Sequence, residues 1–124
     1  MKTFSNALRH WFSTTPAKVI LSVFSVEVLV NPVWNYTFVY DDVSLQELSE
    51  RALELTIWDH DRLSTNEFLG GIRFSLGTGK HNGRNVDWMD STGKELSLWQ
   101  NMLSRPNFWV EGSVILRSSL EKLN

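Results

Sequence analysis

Apolar and polar residues alternate in short blocks along this chain, and most of the blocks have the period of strands. Leu53, Leu55 and Ile57 alternate with Glu54, Thr56 and Trp58, the pattern of a half-buried strand. Residues 35–40, NYTFVY, place aromatic and β-branched residues at strand spacing, and Pro32 stands just ahead, where a proline forfeits no ladder bond. Residues 68–76 read as a further strand, in which Gly70 and Gly71 suggest a bulge or a close backbone approach. Residues 109–117, WVEGSVILR, form the last strand. Two tetrads match a capping box. Ser44 to Glu47 opens a short helical turn through Leu48, and Thr92 to Glu95 precedes Leu96, Trp99, Met102 and Leu103, which share one helical face that Pro106 ends. The polar stretches 59–67 and 77–93 are loops. Short strands with one or two inserted helices predict an all-β antiparallel sandwich.

The first 30 residues are the ambiguous part. Residues 19–30, VILSVFSVEVLV, are apolar and β-branched but interrupted by Glu27 and two serines, and are too short to span a bilayer. Asn31-Pro32 follows, not a small-residue cleavage site. A buried strand is the favoured reading and a signal peptide or anchor the alternative.

Composition narrows the function classes. The 124 residues allow one domain, and six Trp and seven Phe argue against disorder. The net charge of −2 gives no whole-domain grip on nucleic acid. Cysteine is absent, which removes disulfides, thiolate metal sites and a Cys nucleophile. His10, His60 and His81 lack metal-ligand spacing. Gly77-Thr78-Gly79-Lys80 is not a phosphate loop, because that motif needs Gly at Phe74 and Ser or Thr at His81. No ordered motif assembles a catalytic triad, so an enzyme is not expected.

The segment that carries chemistry is Trp58-Asp59-His60-Asp61-Arg62-Leu63-Ser64-Thr65-Asn66-Glu67. Asp59 and Asp61 lie two residues apart, and Glu67 returns from the far side of the loop. Calcium takes six to eight oxygens, so three carboxylates from one loop make about half a site. An acidic surface loop is the plainer reading of the same residues.

W-D-x-D-R-x-S-x-N-E-F-L-G after the strand L-E-L-T-I resembles the third loop of a C2 domain. Residues 31–40, N-P-V-W-N-Y-T-F-V-Y, resemble the N-P-x-W-N-x-x-F strand of that domain. Residues 86–103 and 109–120 are similar to the second, C-terminal C2 domain of the synaptotagmin-like (granuphilin-type) proteins. The resemblance implies a C2-like sandwich over residues 31–120, with residues 1–30 as a non-family segment and 121–124 as a tail. It implies a cytoplasmic module, peripheral at the plasma membrane or a secretory vesicle, that contacts anionic phospholipid in vesicle docking and exocytosis, with possible trafficking-protein partners. The family's Rab-binding domain is not in this sequence.

The departures from the family shape the remaining expectations. No Asp precedes Asp41, so first-loop calcium ligands have no candidates, and Glu67 stands where Asp is usual. The family's lysine-rich strand is missing. The chain therefore reads as a truncated or alternatively spliced C2 domain, partial at its N-terminal side, in which residues 19–30 act as a substitute strand. Asp59, Asp61 and Glu67 are a vestigial calcium loop with no cofactor expected at cytosolic calcium levels, and Arg62 and Leu63 are the lipid-contact candidates. The alternative function is protein interaction through the helix carrying Trp99 and Met102, or a product without a stable independent role. Leu55 and Ile57 are expected in the core.

Overall fold

In a computed structural model, residues 3–11, 17–26, 36–59 and 67–121 are described. The chain runs β1 (Thr3–Trp11), β2 (Ala17–Val26), β3 (Tyr36–Val43), α1 (Leu45–Glu50), β4 (Leu53–Asp59), β5 (Glu67–Phe74), β6 (Lys80–His81), β7 (Arg84–Asn85), α2 (Gly93–Ser104) and β8 (Val110–Ile115). One sheet has the order β3-β2-β1-β8, β4 pairs with β5, and β6 with β7. Every pairing is antiparallel. The fold is the all-β antiparallel sandwich with two short helices that the pattern predicts.

Residues 1–30 contribute two strands, where the pattern suggests a single one over 19–30. β1 pairs with β2 on one edge and β8 on the other, and β2 bridges β1 and β3. A strand paired on both edges satisfies its backbone donors and acceptors in the ladder and needs no clean period-two pattern of its own. Residues 27–30 lie outside the described residues.

One core joins the layers. It holds Leu48 of α1, Ile57 of β4, Ile72 and Phe74 of β5, Leu98, Trp99 and Met102 of α2, and Val114 of β8. The α2 helix packs against β8, β5 and β1. Trp99 stacks on Phe74 with ring centroids 6.3 Å apart, and its indole N–H donates to the Leu48 carbonyl at 3.2 Å, so the polar end of this buried ring is satisfied. Ile57 is buried, whereas Leu55 is only half-buried. The alternation gives a face but not how far the facing layer covers each position along it.

Gly70 and Gly71 are a close approach. A Cβ on Gly70 would meet the Leu116 Cβ at 3.0 Å, and one on Gly71 would meet Leu120 Cδ1 at 2.7 Å. Gly71 and Arg117 exchange backbone hydrogen bonds at 3.0 and 2.8 Å, which straps the chain after β8 onto β5. A bulge lies beside them, since Ile57 opposes Gly70 and Trp58 opposes Phe68, leaving Leu69 as the extra residue.

The stretch 77–93, expected as one long loop, contains the β6–β7 hairpin. Asn82 and Gly83 turn it with φ of 52° and 76°, the left-handed pair a two-residue type I′ turn requires. The Asn-Gly signal was available in the sequence.

Candidate functional site

The β4–β5 hairpin positions the acidic loop. Its register ends on two pairs, Trp58 with Phe68 and Asp59 with Glu67, so the loop leaves and re-enters at directly opposed carboxylate-bearing residues. Opposed Cα atoms in such a ladder lie about 4.5–5.5 Å apart, and like charges there disfavour the pairing unless a positive charge is shared between them. Just inside the mouth, Trp58 is 53% exposed. Its ring meets Phe68 edge-on at 5.1 Å, and its indole N–H donates to Thr56 Oγ1 at 3.0 Å. Asp61, Arg62 and Leu63 fall outside the described residues, as do the side chains of Asp59 and Glu67.

The helix candidates are placed otherwise than the interaction reading requires. Trp99 is 2% and Met102 0% exposed, both inside the core. The outward positions of α2 are polar: Lys94, Ser97, Gln100, Asn101 and Ser104 are exposed. The apolar stripe that suggested a partner surface is the packing face of an amphipathic helix. Trp58 and Trp109 are exposed, while Trp88 is half-buried against the His81 ring at 5.1 Å.

A charge network was not found from the sequence. Arg73 of β5 donates through Nε to Glu54 of β4 at 2.8 Å and through Nη1 to Asp90 at 3.3 Å. Arg117, just past β8, holds Asp90 through Nη1 at 2.7 Å and Nη2 at 3.1 Å. It also binds the Glu95 carboxylate of α2 through Nε at 3.1 Å and through Nη2. Glu95 is 8% exposed and accepts the backbone N–H of Arg73 as well, at 3.2 Å. Burial alone would raise the Asp90 carboxyl, but hydrogen bonding and charge from Arg117, with the charge of Arg73, hold it below its ordinary value. Burial would lower the Arg117 guanidinium, and its bonds to Glu95 and Asp90 reverse that and raise it. Only the Glu54–Arg73 pair, opposite each other across β4 and β5, had a sequence-readable basis.

Two open pockets adjoin these residues. One, of about 350 Å³, is lined by Thr92, Lys94, Glu95, Ile115 and Arg117. The other, of about 390 Å³, lies between the exit of α1 and the β6–β7 hairpin and is lined by Arg51, Ala52, Glu54, His81 and Trp88. No helix among the described residues is long and apolar enough to cross a membrane.

Comparison with known proteins places this architecture. The C2 domain family matches residues 22–91, beginning inside β2 and therefore ahead of the Asn31 boundary that the motifs suggest. Synaptotagmin-like protein 2 of Mus musculus is 53% identical over 90 residues, covering 73% of this chain and 9% of that protein. Synaptotagmin-like protein 1 of Mus musculus is 47% identical over 91 residues, covering 73% of this chain and 16% of that protein. Protein piccolo of Homo sapiens is 38% identical over 63 residues, covering 51% of this chain and 1% of that protein. The chain thus spans a small part of the length of these relatives. With the family match spanning more than half of its residues, the chain belongs to the C2 domain family and is homologous to the synaptotagmin-like proteins.

Proposed function

We propose that this chain is a non-enzymatic membrane-trafficking module that contacts anionic phospholipid without calcium, peripheral to a plasma or vesicle membrane on the cytoplasmic side, in vesicle docking and exocytosis. The observation that carries the reading is the 53% identity to a synaptotagmin-like protein over 90 residues within a C2 architecture. The motifs at residues 86–103 and 109–120 favour the second C2 domain of such proteins.

Calcium independence follows from ligand supply. Asp59, Asp61 and Glu67 offer one wall of a site, Glu67 has a longer reach than Asp, and this chain has no Asp before Asp41 to build the opposite wall. Affinity rises with the number and rigidity of oxygen ligands, and modules with fuller sites still bind only at about 10⁻⁴–10⁻³ M in extracellular settings. Lipid contact is then assigned to Arg62, with its apolar sequence neighbour Leu63.

The test is co-sedimentation with phosphatidylserine-containing and neutral vesicles, in calcium and in chelator, across a salt series. Binding should require the anionic lipid, be equal with and without calcium, and weaken as salt rises, because exposed charges are screened beyond about 8 Å at physiological ionic strength. Arg62→Glu should reduce it. Absence of binding at low salt overturns the lipid reading. Micromolar calcium binding in a calorimeter, abolished by Asp59→Asn, overturns calcium independence.

A further inference from the structure

The pocket between the exit of α1 and the β6–β7 hairpin lies outside the acidic loop, and its lining is chemically two-sided. Arg51 presents a guanidinium whose side chain is 66% exposed and whose ion-pair partner, Glu47, is at a loose 3.6 Å. Glu54 brings a carboxylate, and Trp88 and His81 bring two rings at 5.1 Å. His81 Nδ1 lies 2.9 Å from the Glu50 carbonyl. A carbonyl only accepts, so Nδ1 is the donor in this contact.

The charge behind Glu54 also matters. Its guanidinium partner, Arg73, is divided between Glu54 and Asp90, while Arg117 is divided between Asp90 and Glu95. Among the described residues three carboxylates share two guanidinium groups, which leaves one negative charge in the network behind this wall. A cation is attracted to an aromatic face beside such a carboxylate, and a phosphate to an exposed guanidinium.

We infer that this pocket is a subsite for a zwitterionic phosphoamine, the group shared by phosphocholine and phosphoethanolamine, with the ammonium on the Trp88 and Glu54 side and the phosphate on Arg51. It rests on the membrane-contact reading only for the source of the ligand, since the pocket chemistry is separate from the acidic loop. An anion alone meets Glu54 unfavourably, and a cation alone meets Arg51 unfavourably, so the lining selects a molecule carrying both charges.

The experiment is an NMR titration of the full chain with phosphocholine, phosphoethanolamine, inorganic phosphate and choline, reading the Trp88 indole N–H signal assigned through Trp88→Phe. The two phosphoamines should move it saturably, and phosphate or choline alone much less. Arg51→Ala and Glu54→Gln should each weaken binding about tenfold, the loss expected of one charge-assisted contact. Arg51 is exposed, so its variant keeps the fold, and a thermal melt of Glu54→Gln separates lost binding from lost structure. No movement of the Trp88 signal at millimolar phosphoamine overturns the proposal, as does movement that is unchanged in Arg51→Ala. Equal binding by inorganic phosphate overturns the zwitterion assignment. Neutral phosphatidylcholine vesicles supply the second arm: reduced association of Arg51→Ala identifies a lipid headgroup, and equal association with soluble binding intact identifies a free phosphoamine as the ligand. Failure of the anionic-vesicle experiment leaves this titration unaffected.

Discussion

Two tetrads with the same capping signature end up in different roles. At Ser44 the hydroxyl accepts the Glu47 N–H at 3.1 Å and caps α1. At Thr92 the side chain makes no cap bond, although α2 starts immediately after it. The acid of that second tetrad, Glu95, is turned to Arg117 and to the Arg73 backbone. The difference follows from surroundings. The cap bond uses the backbone N–H of Glu47, while its partly exposed carboxylate meets Arg51 only at a loose 3.6 Å. Glu95 is buried next to a guanidinium, and leaving both charges unpaired out of water would cost several kcal/mol, more than a cap is worth. The signature therefore marks where a helix starts, and tertiary partners decide where its acid side chain goes.

Substitutions sharpen that comparison in order of effect. Glu95→Ala should be the most damaging, because it leaves Arg117 with Asp90 alone and takes the acceptor from the Arg73 amide. Removing one partner of a buried pair costs about 3–5 kcal/mol, and the partial exposure of Arg117 puts the expected loss near the lower end. A denaturant melt checks it, and a loss below about 1 kcal/mol would show that Glu95 is not the keystone of the network.

Acid should weaken the same region by a smaller amount. The folded Asp90 carboxyl sits below its ordinary value of 3.8, so its stabilisation is present above that value and is lost as the pH falls through it toward the folded value. Thermal melts between pH 7 and 3 should show a steeper acid-side decline in the parent than in Asp90→Asn. Arg117 stays charged throughout this window, because its shift is upward.

Ser44→Ala should cost about 1 kcal/mol, the ordinary value of an N-cap. Thr92→Ala should lie within about 0.5 kcal/mol of the parent, as for an exposed residue without a special contact. If Thr92→Ala costs as much as Ser44→Ala, the contrast between the two tetrads fails.

Local periodicity and capping chemistry were enough for β3, β4, β5 and β8 and for both helices. Gly70 and Gly71 suggested a bulge or a close approach, but not that Leu116 and Leu120 are what approaches. The motif order from Asn31 onward carried the family. The Asn82-Gly83 hairpin was equally local and was legible, though a loop reading concealed it.

Tertiary structure alone decided which faces these elements present and to whom. It set Leu55 as half-buried while Ile57 is buried, and turned Trp99 and Met102 into core residues and not a partner surface. It gave residues 3–11 a place between β2 and β8 that their own pattern does not announce. It also gathered Glu54, Arg73, Asp90, Glu95 and Arg117 from separate elements into one network. Burial and ion pairing depend on residues far apart in the chain, and period and spacing carry no information about which distant charge will arrive.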